Sequence, residues 1–211
     1  MIGQSFIQDN FPKGKLIFVG GRPAIGKTSF ALSLAISMAE RNQKVIYFSL
    51  EMDREQLVKR IVPQNRHVAI GENFVICDAR TAKVSVVRSL LETQSFDYIL
   101  IDYIQLMSAD DQENSREEEV SSVVCDLKNL ARELDIPIIA LSQINRIGNG
   151  LREIQPDDLT DTNVAILFRD IYQPTQMVYK SYIKGKVRIT HFYYNLDSTE
   201  VTDYYGDSIS G

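Results

Sequence analysis

Residues 16–38 read LIFVGGRPAIGKTSFALSLAISM, and how this stretch folds decides the rest. Leu16–Val19 is a short, fully apolar run that suits a buried strand. Gly21-Arg22-Pro23-Ala24-Ile25-Gly26-Lys27-Thr28 then fits the pattern G-x-x-x-x-G-K-[ST], with Ser29 behind it. Phe30, Leu34 and Met38 recur every four residues, with Ala31 and Ala35 beside them, so a helix begins inside the motif. Strand, glycine loop and helix in that order separate a phosphate loop from an ordinary glycine-rich turn. In such a loop the backbone N–H groups curl around phosphates at the positive end of the helix. Lys27 supplies a point charge to those phosphates, and the Thr28 hydroxyl is placed to ligate Mg²⁺. The expectation is a nucleotide-binding site over residues 21–29.

Outward from this core, apolar runs alternate with amphipathic ones. Val45–Ser49 is a second buried strand, and Glu51 stands just past its end. Asp53 and Gln56 form a capping-box pattern that opens a helix carrying Leu57 and Ile61, with Pro63 as its stop. Phe74–Cys77 reads as a strand and Lys83–Thr93 as a helix, from the spacing of Val84, Val87 and Leu91. Tyr98–Ile101 is a further strand that ends in Asp102. Ser108–Arg116 is polar and expected to be mobile. Glu117–Leu134 is the longest amphipathic helix, with Val120, Val124, Leu127 and Leu134 facing inward. Pro137–Leu141 is a strand ending at Ser142-Gln143, Ile147–Asn163 is loop-like, and Val164–Phe168 is one more core strand. Gln176–Ile183 and Lys186–Tyr194 alternate as a hairpin around Lys184-Gly185. Met1–Gly14 reads as a polar, turn-like lead-in and Ser198–Gly211 as a polar tail, which leaves 15–197 as one domain.

Strands alternating with helices predict an α/β fold: a mainly parallel sheet between two helix layers, with an antiparallel hairpin at its C-terminal edge. Ligands in such sheets bind beyond the carboxyl ends of the strands. The phosphate loop, Glu51, Asp102 and Gln143 all fall there, so they are expected to share one crevice. Asp102 ends an apolar strand and suits a second Mg²⁺ partner, direct or through water. Glu51 suits a carboxylate that orients or deprotonates an attacking water, and Gln143 a sensor of the γ-phosphate. The blander readings are an aspartate capping a turn, a glutamate opening the next helix and a glutamine with local bonds only.

Composition sets outer limits. A chain of 211 residues with 44% hydrophobic content can bury a core between two helix layers and a sheet. A net charge of −5 gives no global case for nucleic-acid binding, and leaves a local patch or a ring of subunits open to it. Cys77 and Cys125 lack paired or metal-type spacing and are expected to be buried free thiols. No secretory signal and no bilayer-length apolar run is evident, so the cytosol is the expected compartment, with no membrane partner. Met1 and the polar lead-in suit a complete small protein, and an excised domain would look the same.

Four ordered motifs carry a family resemblance. Phe48-Ser-Leu-Glu-Met52, Ile101-Asp-Tyr-Ile-Gln-Leu-Met107 and Ala140-Leu-Ser-Gln-Ile-Asn-Arg146, behind GRPAIGKTSF, closely resemble the C-terminal, RecA-like motor domain of DnaB-type replicative helicases. The resemblance covers roughly Phe11 to Asp170 well and the final third weakly. It implies a RecA-like P-loop NTPase fold and a hexameric ring that hydrolyses ATP with Mg²⁺ at subunit interfaces while moving along single-stranded DNA. By position it makes Gly21–Thr28 the phosphate loop, Glu51 the catalytic glutamate, Asp102 the Mg²⁺-associated aspartate and Gln143 the γ-phosphate sensor. Ser108–Arg116 and Ile147–Asn163 would be its pore-facing loops.

The chain also departs from that pattern. It starts almost at the motor domain, and the segment between Met52 and Phe74 is short. The family's D-L-R-E-S-G stretch has two competing placements: Leu151-Arg-Glu153 by letters, or Pro156-Asp-Asp-Leu159 by spacing. The second is preferred and puts Thr160 at the arginine position. Where the family carries a trans-acting arginine, Val178-Tyr-Lys180-Ser181 lies here, so Lys180 is the cationic stand-in, ahead of Lys184 and Lys186. Lysine lacks the planar fork of arginine and would be a weaker finger. The alternative function is a nucleotide-gated accessory module of a replication complex, docked to another replication protein with little or no helicase activity. A recombination ATPase of another RecA branch fits the FSLEM and IDYIQLM wording less well.

Overall fold

The computed structural model describes residues 1–61, 71–79, 82–111, 115–143, 163–169, 174–183 and 186–204. The apolar runs form the strands β1 (Leu16–Gly21), β2 (Val45–Ser49), β3 (Phe74–Cys77), β4 (Tyr98–Asp102), β5 (Ile138–Gln143) and β6 (Asn163–Arg169). The helices are α1 (Gln4–Asn10), α2 (Lys27–Ala39), α3 (Arg54–Ile61), α4 (Val84–Thr93) and α5 (Arg116–Leu134). Strands β7 (Gln176–Ile183), β8 (Lys186–Tyr194) and β9 (Val201–Asp203) complete one sheet in the order β3-β2-β4-β5-β1-β6-β7-β8-β9. Pairing is parallel from β3 to β6 and antiparallel from there to β9.

Alternation along each parallel strand divides the core in two. Ile17, Val19, Val45, Tyr47, Leu100, Ile139 and Leu141 pack with α1, α2 and α3. Leu16, Phe18, Ile46, Phe48, Ile99, Ile101 and Ala140 pack with α4 and α5. Because both faces are covered, these strands are apolar at nearly every position. Helix α2 is buried on all sides for the same reason: α1 and β9 close over the face it turns away from the sheet.

Several expectations need correction. The turn-like lead-in is a helix, because Phe6, Ile7 and Phe11 converge on one buried face only if the backbone coils. Phe6 sits edge-on to Tyr179 and Phe192, each at 4.9 Å, and Phe30 of α2 stacks on Tyr179 at 5.5 Å. Ser181 Oγ donates to Asn10 Oδ1 at 2.9 Å, and Arg188 pairs with Asp9 at 2.8 Å. The polar tail contributes β9, whose Val201 is fully buried. In α5 the fully buried residues are Val123, Leu127, Leu130 and Ala131, with Val124 packed part-buried against the same core; Leu134, past the last buried turn, is 38% exposed. Cys125 is exposed and Cys77 half-buried, so neither is a core thiol. The Asp53 capping box is as expected: Gln56 N–H donates to Asp53 Oδ1, and Asp53 N–H to Gln56 Oε1. Pro63, the turn at Lys184-Gly185 and most of Ile147–Asn163 lie outside the described residues.

The candidate nucleotide site

The parallel register brings the predicted residues together. Gly21 pairs with Gln143 across β1 and β5, and Ser49 with Asp102 across β2 and β4, so these four adjacent strands all end on the same side of the sheet, β1 and β5 two residues beyond β2 and β4. Asp102 alternates with Leu100 and Tyr98, which places it on the α2 side of the sheet, facing the head of the helix that carries Lys27 and Thr28.

The loop itself is tightly constrained. Ala24 and Gly26 both take left-handed backbone, with φ of 60° and 101°. Such positive-φ turns point successive N–H groups into one concavity, the geometry of an anion nest. A Cβ on Gly21 would sit 2.9 Å from Ile25 Cγ2 and 3.3 Å from Lys27 Cγ, so a side chain there would push against the loop and its lysine. Gly26 caps α2, and a Cβ there would meet Met177 Cε at 2.9 Å. Lys27 Nζ donates to the carbonyls of Gly21 at 2.9 Å and Arg22 at 3.0 Å, which holds the ammonium across the loop. Burial lowers the Lys27 pKa, while the carboxylates of Asp102 and Glu51 act in the opposite direction.

Asp102 is 3% exposed. Burial raises its pKa, and hydrogen bonds from Tyr47 and Thr28 pull it back down. Tyr47 is fully buried, and its hydroxyl donates to Asp102 Oδ2 at 2.7 Å. Burial and the adjacent carboxylate raise the Tyr47 pKa well above that of a free phenol, so it stays a donor. Glu51 is exposed beyond β2, within electrostatic reach of Lys27 and Asp102. Ser29 is buried in the first turn of α2, and Arg22, Pro23 and Ala24 are exposed at the loop's rim.

One hydroxyl, one carboxylate and a nest of N–H donors fit a Mg²⁺–nucleotide pair. Such a metal takes few protein ligands and completes its shell with phosphate oxygens and water. Among the described residues no three His, Cys, Asp or Glu side chains form a metal site by themselves. Lys180 stands apart from this cluster. Its strand neighbours Tyr179 and Ser181 are buried toward α1 and α2, so Lys180 projects from the opposite face, with Nζ 5.3 Å from the Tyr182 ring centre.

Four residues of the site region receive no role from the motifs: Tyr47, Arg169, Tyr194, and Gln105, which lies inside the Ile101–Met107 motif. Tyr47 is the lone phenol in VIYFS, a polar tip inside a buried strand. Arg169 ends β6 and donates to the Ala24 carbonyl at 3.1 Å, with its guanidinium 4.7 Å from the Tyr194 ring centre. The strand-end rule that locates Asp102 and Gln143 also points to Arg169. Gln105 hydrogen-bonds Ser142 and Gln143, a contact that only the tertiary fold creates.

Comparison with known proteins covers the phosphate loop, Glu51, Asp102 and Gln143. The family profile described as "DnaB-like helicase C terminal domain" matches residues 7–73 and 69–162. The replicative DNA helicase DnaC of Bacillus subtilis (strain 168) is 31% identical over 214 residues, covering 82% of this chain and 47% of its own length. The replicative DNA helicase DnaB of Geobacillus stearothermophilus is 32% identical over 202 residues, covering 77% and 44%. The chain thus spans about half the length of the curated relatives it matches. Among solved structures, a DnaB-like replicative helicase has a TM-score of 0.77 at 22% identity, covering 92% of this chain and 60% of that one. A second solved structure, described as an ATPase domain, has a TM-score of 0.76 at 22% identity, covering 92% and 86%. The RadB recombinase has a TM-score of 0.61 at 20% identity, which shows the RecA-like fold to be shared more widely. With most of its length under the family profile and the phosphate loop inside the matched region, the chain belongs to the DnaB-like helicase C-terminal domain family.

Proposed function

We propose that this chain is the ATP-binding and ATP-hydrolysing motor domain of a DnaB-like replicative helicase, acting on single-stranded DNA in the cytosol. The observation that carries the reading is the bond between Thr28, at the head of α2, and Asp102, at the end of β4, with Lys27 beside them. Residues 21–29 would hold the phosphates through loop N–H groups and Lys27. Thr28 and Asp102 would hold Mg²⁺, which when bound neutralises phosphate charge and orients the γ-phosphate for in-line attack. Glu51, in the same electrostatic environment but not bonded to Asp102, suits orienting or deprotonating the attacking water. Gln143, level with Gly21 in the sheet, suits a γ-phosphate contact. The flat lip made by Arg169 over Tyr194, against the loop carbonyl of Ala24, is a seat for the nucleotide base or ribose.

Lys180 faces away from its own phosphate loop, so any role in hydrolysis falls in trans, at a neighbouring copy's site in a ring, with a hexamer as the expected form. We take the working unit to include α1 and β9 along with 15–197, because both supply side chains to the same core. The testing experiment measures ATP hydrolysis with and without single-stranded DNA over a range of protein concentrations. The expected outcome is turnover that rises with both, and falls by at least about 100-fold in Lys27→Ala. Nucleotide binding with flat, negligible turnover would instead support the accessory module.

A further inference from the structure

The segment between Asp102 and α5 is fastened at three points, and one of them leads back to the nucleotide site. Ile104 and Met107 are buried, and the 3₁₀ turn Ile104–Leu106 presents Gln105 to the end of β5. The Gln105 amide brackets that end from both sides. Its Nε2 donates to Ser142 Oγ at 2.9 Å and to the Gln143 carbonyl at 3.2 Å, and its Oε1 accepts from the Gln143 N–H at 3.4 Å. The Gln105 carbonyl is held in turn by Arg116 Nη2, which also donates to the Met107 carbonyl at 3.0 Å. Arg116 pairs with Glu119, whose other oxygen accepts from the Ala109 N–H at 3.3 Å. On the far side, Ser108 N–H donates to the Ala82 carbonyl at 3.1 Å, and Asp110 takes the Ser85 N–H at 3.0 Å together with its hydroxyl.

We propose that Gln105 is a positioning residue that couples the strand end bearing Gln143 to the segment entering α5. The inference deepens the nucleotide reading above and rests on it. With bonds on both sides of the Gln143 peptide, Gln105 has to follow any displacement there. Through the Gln105 carbonyl, Arg116 follows as well. Hydrophobic anchoring alone, by Ile104 and Met107, would leave the two regions as independent neighbours. The amide makes them one hydrogen-bonded unit, whose two ends face the γ-phosphate side of the sheet and the first turn of α5.

The test is amide hydrogen exchange on the full chain, with and without a slowly hydrolysed ATP analogue and Mg²⁺, comparing peptides over 16–30 and 103–119. In the parent chain nucleotide is expected to protect 16–30 and to change exchange in 103–119 by about twofold or more. Gln105→Met keeps the side-chain length and removes the bonds; 16–30 should stay responsive while 103–119 stops responding. Gln105→Glu still accepts from the Gln143 N–H and from the Ser142 hydroxyl but loses the donor to the Gln143 carbonyl, and should restore only part of the response. A merely structural role would speed exchange in 103–119 of Gln105→Met with no nucleotide present and leave its response to nucleotide in place, which overturns the proposal. So does a 103–119 region that ignores nucleotide in the parent chain while 16–30 is protected. Failure of nucleotide to protect 16–30 overturns the site reading and the coupling with it.

Discussion

The two halves of the sheet solve the same burial problem differently. From β3 to β1 every strand is parallel and has helices on both faces, and apart from the Tyr47 hydroxyl its polar side chains lie at strand ends. From β6 to β9 the sheet is covered on one face by α1 and α2. On the other, among the described residues, Tyr182, Val187, Ile189 and Tyr193 stand 42%, 57%, 58% and 42% exposed. The covered half concentrates chemistry at one edge, because that edge is where its backbone and side chains meet solvent. The half-covered region carries its polarity along the strands, so a charged side chain such as Lys180 can stand mid-strand. A site built from strand ends is fixed by register; a surface built from a sheet face is fixed only by what comes to lie on it.

The largest expected effect breaks the seam between the halves. Phe6 meets Phe11, Phe30, Tyr179 and Phe192, and so joins α1 and the helix of the phosphate loop to the antiparallel strands. Phe6→Ala should destabilise the chain by about 3–5 kcal/mol, read from the midpoint of urea unfolding. A change under ~1 kcal/mol would mean that the two halves hold together without the cluster.

A smaller effect, of opposite sign, sharpens the account of the covered half. Burial raises the Asp102 pKa, so the folded chain holds a proton there that the unfolded chain has already released. By linkage this contribution to stability is greatest below the ordinary carboxylate range and is lost as pH rises through the folded value. Asp102→Asn should therefore flatten that part of the pH–stability curve. In metal-free buffer at neutral pH it should also stabilise the fold by on the order of 1 kcal/mol while abolishing hydrolysis. Equal or lower stability for the variant would show that the bonds from Tyr47 and Thr28 outweigh the cost of burial. The smallest effect concerns the open face: Ile189→Thr should change stability by no more than about 0.5 kcal/mol, because the side chain is already in water. A larger loss in concentrated solution that vanishes on dilution would reveal a neighbour on that face.

What the sequence makes legible follows the same division. Fully apolar runs and a glycine motif determine β1 to β5 and the strand-end residues, because burial on both faces leaves little latitude. The hairpin is readable from alternation alone. Helix α1 is hidden, since two phenylalanines and an isoleucine among Gln, Asp and Asn look like a loop until Tyr179 and Phe192 are placed beside them. Val201 is hidden in a polar tail for a similar reason, its partners being Ser33 and β8. Tyr47 acts through one hydrogen bond across 55 residues of chain and Gln105 through three across 37 or 38, distances that no local pattern spans.

The stitching of α1 into β7, β8 and β9 also bears on how the chain comes to be folded. Asn10 bonds Ser181 across 171 residues, and the Met1 carbonyl accepts from the Asp203 N–H. A ribosome adding ~5–20 residues per second needs on the order of ten seconds or more to supply those partners. Until then Phe6, Ile7 and Phe11 have no final surface to cover them. Helix α1 is made well before these partners and is secured only once they arrive, and for that interval its apolar face is open to chaperones and to self-association.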